Sequence, residues 1–592
     1  MHASLASRKH ETLAILRKDR RFRNLRGMLD SPAVTSSPPA TAKPGIGAFF
    51  AAGIVVLVCL FSHLGALGLV GPDEPRYAWI ARNMAATGDW VTPRLYGQPW
   101  FEKPILYYWT AAAGFRLHLP AEWAARLPSA FAALAAAITI GGLAWKHYGK
   151  GDSPASNPAL LAPLLFATSV AAIGFSRSAG PDMLFAASLT LAMASASAIF
   201  RRAGILSAAA VTDPPEQRQD LLPLALFGAS LGLGALAKGP AAIILAGGAV
   251  SVWALATRRW GRALRLAHPI AIVSFCIVAL PWYMVCSLRN PNFIRVFIFE
   301  HNFERYLTPV FQHKQPFWFF IPILLLALMP WTALLYPLAR DALLRWREKS
   351  WVTSPGVFIA CWALFPLLFF SFSQSKLPGY ILPAIPPFSL LMALALSRAI
   401  RSDSHASKWL LAVIGVTFIL IGAPALWLSQ VHTTPRFYPP EILALGAAIA
   451  IVGGVSVAVL ASVRPRAALV VSFVIVIALV EFANLRFLPA IDPLVSARPH
   501  EALLRRDLRQ DRLFTFRLPR SRTYGLAFYF RRELPEWSPA DPDPALVLTN
   551  LQGFTEIVKL GRFHPGADEE ERNGDRTPVR GILYVPVQPA PR

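Results

Sequence analysis

Long apolar windows recur along this chain, separated alternately by short basic stretches and by longer stretches rich in aromatic and mixed-charge residues. Windows of roughly 17–25 residues, the length at which a helix crosses the hydrocarbon core of a bilayer, fall at 46–70, 124–146, 158–176, 181–200, 221–237, 239–257, 268–287, 316–338, 356–373, 379–398, 409–429, 441–462 and 467–486. The pattern predicts an all-α polytopic membrane protein with about thirteen transmembrane helices. The first window is longer than a signal-peptide core and lacks a cleavage-site pattern, so it reads as a retained helix. Beyond it, Asp73 to Thr87 carries polar and apolar residues together and predicts an amphipathic helix ended by Gly88. After residue 486 the apolar windows stop. Short runs at Arg512–Phe516, Ala545–Thr549 and Gly581–Val585 predict strands of a small α/β domain over 487–592.

Composition supports the membrane class. Of 592 residues, 54% are hydrophobic and only 16% charged, and the mean hydropathy is +0.44. That balance excludes an ordinary soluble enzyme. A formal net charge of +24 raises the question of nucleic acid, but the distribution answers it. Lys146 and Lys150, Arg201 and Arg202, Arg258 and Arg259, Arg345 and Arg347, Arg398 and Arg401, and Arg464 and Arg466 all fall in alternate short loops. Positive charge in alternate loops sets topology. It predicts a cytoplasmic N-terminus, with residues 1–45 as a basic arm, 46–486 as the membrane domain and 487–592 outside. Cys59, Cys276, Cys286 and Cys361 sit in apolar runs and make no disulfide or metal pattern.

With that topology, the ionisable residues Asp73, Glu74, Arg76, Glu102, Lys103, Asp182, Lys238, Glu300, His301, Arg305 and Lys376, together with Tyr380, gather at the outer ends of spans. The loops 71–123 and 288–315 carry most of them. Charges at a membrane boundary require partners or a polar ligand, which makes this group the candidate site. Asp73 suits an N-cap, with Arg76 and Tyr77 on the same helical face. Pro104 suits a first helical position, leaving Glu102 and Lys103 at a positive helix end. Blander readings stand beside these: an ordinary N-cap with a surface ion pair for Asp73, interfacial snorkelling for Lys103, a plain cap for Asp182 and a lipid-headgroup or structural role for Lys238. If the loop around His301 is an α-helix, His301 and Arg305 share a face. Lys103, Arg305, Lys376 and Tyr380 together could cradle a phosphate. No internal repeat is evident, which weighs against a transporter built from inverted repeats.

Several of these residues lie in runs that together resemble a known family. Asp73-Glu74-Pro75-Arg76-Tyr77-Ala78, Gly88-Asp89-Trp90-Val91-Thr92-Pro93-Arg94 and Phe101-Glu102-Lys103-Pro104 are similar to motifs of the aminoarabinose (4-amino-4-deoxy-L-arabinose) lipid A transferase family. So are the runs Ser176 to Asp182, Leu236 to Pro240, Glu300 to Tyr306 and Ser375 to Pro383. That family belongs to the lipid-linked GT-C glycosyltransferases, which also include protein mannosyltransferases. The resemblance covers roughly residues 46 to 490.

The resemblance implies sugar transfer from a polyprenyl (undecaprenyl) phosphate donor at the periplasmic face of a bacterial inner membrane. The implied sugar is aminoarabinose and the implied acceptor a lipid A phosphate. It implies Asp73 and Asp182 as catalytic carboxylates, and Arg76, Lys103, Arg305, Lys376 and Tyr380 around the donor phosphate. Glu102 and His301 are implied as ligands of a divalent ion such as zinc. No nucleotide-binding motif is present, consistent with a lipid donor. Other readings stay open on the sequence: the same donor class with another sugar or acceptor, including protein O-glycosylation, or a lipid transporter.

Overall fold

A computed structural model of the protein describes residues 45–148, 153–202, 221–307, 315–348, 351, 355–402, 405–431, 439–501, 512–562 and 582–587. Nearly all of the expected basic arm therefore lies outside the described residues. The chain is a multi-span helical membrane protein with a small mixed sheet near its C-terminus. Among the described residues, eight helices are long and apolar enough to cross a bilayer, from Ala121–Lys146 to Pro465–Val495. Two bent pairs, Pro158–Ala167 with Val170–Ser176 and Phe317–Ala327 with Trp331–Arg347, have together the length and apolarity of a span. Ile46–Phe61, Ala241–Thr257 and Gly356–Ser371 are apolar but shorter. Each matches one of the windows read in the sequence.

The first bend has a local cause. Ser169 accepts the Ala172 N–H and starts the second helical piece. Thr168, at the break, receives the indole N–H of Trp331 at 2.9 Å. The interior packs through large rings. Phe200 and Trp253 stack at 4.5 Å, and Phe358 meets both edge-on.

Asp73–Thr87 and Leu106–Arg116 are helices that are not spans, and they pack against each other. Gly88 ends the first in a left-handed conformation, φ 74°, and donates to the Met84 carbonyl, as expected. The expected cap at Asp73 is not what forms. Asp73 is the first helical residue, Pro72 occupies the cap position, and no side chain caps the helix. The Asp73 carboxylate goes to Arg76 instead. Pro104 is likewise not at the first helical turn; its helix starts at Leu106 behind Ile105.

Between these helices, β1 (Arg94–Leu95) and β2 (Gln98–Pro99) form an antiparallel hairpin, with Arg94 opposite Pro99 and Leu95 opposite Gln98. Its loop is Tyr96-Gly97, with φ 51° and 74°. Two positive φ values are what a two-residue hairpin loop needs to follow the twist of its strands. Asp89 prepares the hairpin by accepting the N–H groups of Val91 and Thr92. Trp282 and Asn290 then tie Val91 and Thr92 to the helix Pro269–Arg289.

The C-terminal sheet is three-stranded, in the order β3 (Leu513–Phe516), β4 (Ala545–Thr549), β5 (Leu583–Val587). β3 and β4 run parallel, and β5 is antiparallel to β4. The connection from β3 to β4 contains the helix Arg520–Phe530, as a parallel pair requires a crossover. The last strand begins at Leu583, two residues later than Gly581, which lies outside the described residues.

This C-terminal region grips the loop leading into Asp73. Val70 forms a β-bridge with Ser496. Asp492 accepts the Gly68 N–H at 2.7 Å, and Tyr529 accepts the Leu69 N–H at 2.8 Å. Gly68 permits the approach, because a Cβ there would lie 2.5 Å from Ser496 Oγ.

Candidate functional site

The Asp73-Glu74 pair divides into two environments. Asp73 is 59% exposed at its side chain, whereas Glu74 is 9% exposed. Helical geometry separates adjacent residues by about 100°, and here that turn decides their roles. Glu74 faces inward and accepts the N–H groups of Val70 at 2.9 Å and Ala179 at 2.7 Å. Its charge is matched by Arg126, whose Nη2 lies 2.9 Å from Oε2. Arg126 also donates to the carbonyls of Leu64, Leu67 and Gly68. One buried pair thus joins the loop 64–70, the helix of Asp73, the span containing Arg126 and the turn at Ala179. The sequence reading did not single out Arg126, although a cation within an apolar window is a functional or structural signal by itself.

Asp73 turns toward the cluster in which function was expected. Arg76 Nη2 lies 2.6 Å from Asp73 Oδ1 and 2.9 Å from Glu102 Oε2, and Lys103 Nζ is 3.5 Å from Glu102 Oε1. Arg76 is buried, with only 8% of its side chain exposed. Three aromatic faces surround its guanidinium: Tyr77 at 5.1 Å, Trp100 at 5.3 Å and Tyr524 at 5.9 Å. Burial works against the charge on Arg76, but Tyr77, Glu102 and Asp73 outweigh it and raise the guanidinium above its ordinary pKa. Burial, with the Glu102 charge adding to it, pushes the Tyr77 and Tyr108 phenols up. Both are hydroxyl donors at neutral pH.

A second cluster adjoins the first. Asp182 opens the helix Asp182–Arg202 and pairs with Lys238, at the end of the helix Leu221–Lys238. Lys238 Nζ also lies 5.3 Å from the Tyr380 ring and 5.5 Å from the Phe185 ring. Lys238 is therefore an ion-pair partner of Asp182 and not a surface contact. Gly180 joins the clusters, since a Cβ built on it would lie 3.8 Å from Asp182 Oδ2 and 3.9 Å from the Tyr77 ring.

The expected phosphate cradle comes together only in part. Lys103 and Tyr380 belong to the two clusters. Lys376 does not face them with a free ammonium; it donates to the carbonyls of Ser373 at 2.6 Å and Gln315 at 3.0 Å and ties its loop to the segment entering the helix at Phe317. His301 lies in a π-helical turn, Arg295–Glu304, and Arg305 begins a short α turn, so the i, i+4 stacking expected of an α-helix does not apply. The Arg305 side chain lies outside the described residues.

The metal expectation was tested on the donor set. Among the described residues no group of three or more His, Cys, Asp or Glu side chains is arranged to hold an ion. Both Glu102 oxygens face cations, Arg76 and Lys103.

Comparison with known proteins agrees with this architecture. Residues 46–297 match the dolichyl-phosphate-mannose-protein mannosyltransferase family. An undecaprenyl phosphate-alpha-4-amino-4-deoxy-L-arabinose arabinosyl transferase of Edwardsiella ictaluri is 32% identical over 64% of this chain, which spans 63% of that relative's length. The protein of the same name from Pectobacterium atrosepticum is 33% identical, over 68% of each chain. The crystal structure of ArnT from Cupriavidus metallidurans, bound to undecaprenyl phosphate, superposes with a TM-score of 0.71 at 22% identity, covering 87% of this chain and 95% of that one. The fold is therefore that of ArnT. With a third of its residues identical across two thirds of its length and of that relative's, this chain belongs to the undecaprenyl phosphate-aminoarabinose arabinosyl transferase family.

Proposed function

We propose that this protein transfers 4-amino-4-deoxy-L-arabinose from undecaprenyl phosphate to a phosphate of lipid A at the outer face of a bacterial inner membrane. The observation that carries the reading is the Asp73–Arg76–Glu102–Lys103 cluster, gathered beside Asp182 and Lys238 in a chain of this family. The donor follows from the relatives' names. The acceptor follows from the family resemblance of the motifs. In this reading the chain crosses the membrane thirteen times, the basic loops lie in the cytoplasm, and residues 487–592 form the periplasmic domain.

In the reaction, the bond between the sugar's anomeric carbon and the carrier-phosphate oxygen breaks. Undecaprenyl phosphate leaves with the bonding pair, while an oxygen of the acceptor phosphate supplies the pair for the new bond. Direct displacement inverts the anomeric centre. The acceptor oxygen is already anionic, so no proton has to be removed. Asp73, the exposed carboxylate of the cluster, serves the positive charge that grows on the sugar. Lys103 receives the charge on the departing phosphate, with Arg305 as a further cation. Arg76 holds Asp73 and Glu102 in one arrangement, and Lys238 does the same for Asp182.

The test is mass spectrometry of lipid A from a host lacking its own transferase, with and without this gene and with Asp73→Asn as control. A pentosamine-sized addition that requires Asp73 supports the reading. Unchanged lipid A in cells that make the donor rejects the sugar or the acceptor named here.

A further inference from the structure

Around Arg76, four buried polar groups make no hydrogen bond: Arg76 Nε, Tyr96 Oη, Trp100 Nε1 and Tyr108 Oη. Buried polar groups are nearly always paired, and a buried donor left without a partner is destabilising. These four share one neighbourhood. The Trp100 ring is 5.3 Å from the guanidinium. Tyr108 packs 6.2 Å from Tyr77, whose own ring is 5.1 Å from Arg76. Tyr96 is linked through Tyr524, whose ring lies 6.0 Å from the Tyr96 ring and 5.9 Å from the guanidinium. All four can donate a hydrogen, and the charge on Arg76 is already met by Asp73 and Glu102. The ligand that satisfies them is rich in oxygen acceptors.

Both tyrosines of the outer wall are held firmly. Tyr96 occupies the hairpin tip at φ 51°, a conformation disfavoured for a side chain of that size and maintained here by the two-residue loop. Tyr524 rides on the helix Arg520–Phe530, which is pinned on several sides. Tyr529 donates to Glu122 at 2.9 Å and accepts the Leu69 N–H. Arg82 donates to the Phe528 carbonyl at 2.6 Å and lies 3.8 Å over the Phe528 ring. A Cβ on Gly525 would come within 2.8 Å of Ala497 Cβ, so that contact is as close as the backbone allows.

The geometry points to an acceptor subsite whose outer wall is Tyr524 of the C-terminal helix together with Tyr96 of the hairpin. The helix of Tyr524 lies beyond the last span, Pro465–Val495. A group held against it need not enter the apolar bundle, whereas the prenyl chain of the donor must lie along apolar spans. The wall therefore suits the phosphorylated sugar head of the acceptor, with aromatic faces against the ring and the unpaired donors toward its oxygens. This inference rests on the reading given under Proposed function. It makes the C-terminal region part of the substrate site.

The experiment is binding of lipid A and, separately, of undecaprenyl phosphate to the full-length protein in detergent, with Tyr524→Ala, Tyr524→Phe and Tyr96→Phe as variants. Tyr524→Ala is expected to weaken lipid A about tenfold and to leave undecaprenyl phosphate within about twofold. Tyr524→Phe keeps the ring and should restore lipid A binding. Tyr96→Phe removes only a hydroxyl and should weaken lipid A about fivefold with an unchanged unfolding temperature, so the test survives if Tyr524→Ala fails to fold. Unchanged lipid A affinity in Tyr96→Phe and Tyr524→Ala overturns the inference, as does a loss that falls on undecaprenyl phosphate instead. Wild-type protein that binds undecaprenyl phosphate but not lipid A rejects the acceptor named above and this subsite with it.

Discussion

Arg126 Nη2 lies 2.9 Å from Glu74 Oε2, with both side chains buried, one residue along the chain from the exposed Asp73. The pair is the support beneath the site and not a part of the chemistry. Beyond each other, its oxygens and nitrogens are spent on backbone groups of two separate segments, the loop 64–70 and the turn at Ala179.

Glu74→Gln and Arg126→Met should therefore lower stability rather than turnover alone. Removing one partner of a buried pair costs about 3–5 kcal/mol, because the other charge stays buried without compensation. Thermal unfolding in detergent should show both variants melting well below wild type, while Asp73→Asn melts near it. Variants of Glu74 as stable as wild type would place the support elsewhere.

Arg76→Lys should be nearly inactive although it keeps the positive charge. One guanidinium nitrogen serves both Asp73 and Glu102, and its flat faces lie against three rings. An ammonium on a flexible stem reproduces neither the fixed plane nor the stacking. A fall of about 10²–10³ in turnover is the scale for losing one organised electrostatic contact. Activity within a few-fold of wild type would show that the charge alone suffices.

Asp182 and Lys238 should act as one unit. Asp182→Asn and Lys238→Met are each expected to reduce transfer, and the double variant should lose much less than the two losses combined. Contacting charged residues are where additivity fails. Purely additive losses in a double-mutant cycle would mean that the two contribute independently.

Acidification should weaken the C-terminal region through His500. Burial, reinforced by nearby Arg522, pulls the imidazole from 6.5 down to about 4. The folded state thus resists a proton that the unfolded state accepts. Its contribution is fully present above pH 6.5 and is lost as pH falls from 6.5 toward 4. The loss is on the order of 3 kcal/mol. His500→Gln should flatten the stability profile across that window, which unfolding at stepped pH would reveal. An unchanged acid slope would assign it to other groups.

The membrane pattern was legible in the sequence because the ability to cross a bilayer depends on a local run of apolar side chains, and each window from 46 to 486 became a helix or a bent pair. The strands at Leu513–Phe516 and Ala545–Thr549 were legible for the same reason, as short β-prone runs between breakers. The Asp73–Arg76 contact followed from helical spacing. Sequence alone did not separate Asp73 from Glu74, since the bundle decides which side of the helix is inside. It expected a free cation at Lys376, and backbone carbonyls took that ammonium; it left Lys238 between a headgroup contact and a structural role, and packing brought Lys238 to Asp182. Tyr524 carried no signal, because its meaning comes from Arg76, a residue far away along the chain. Local runs of side chains set the elements, and only packing between distant segments decided which polar groups share a buried site.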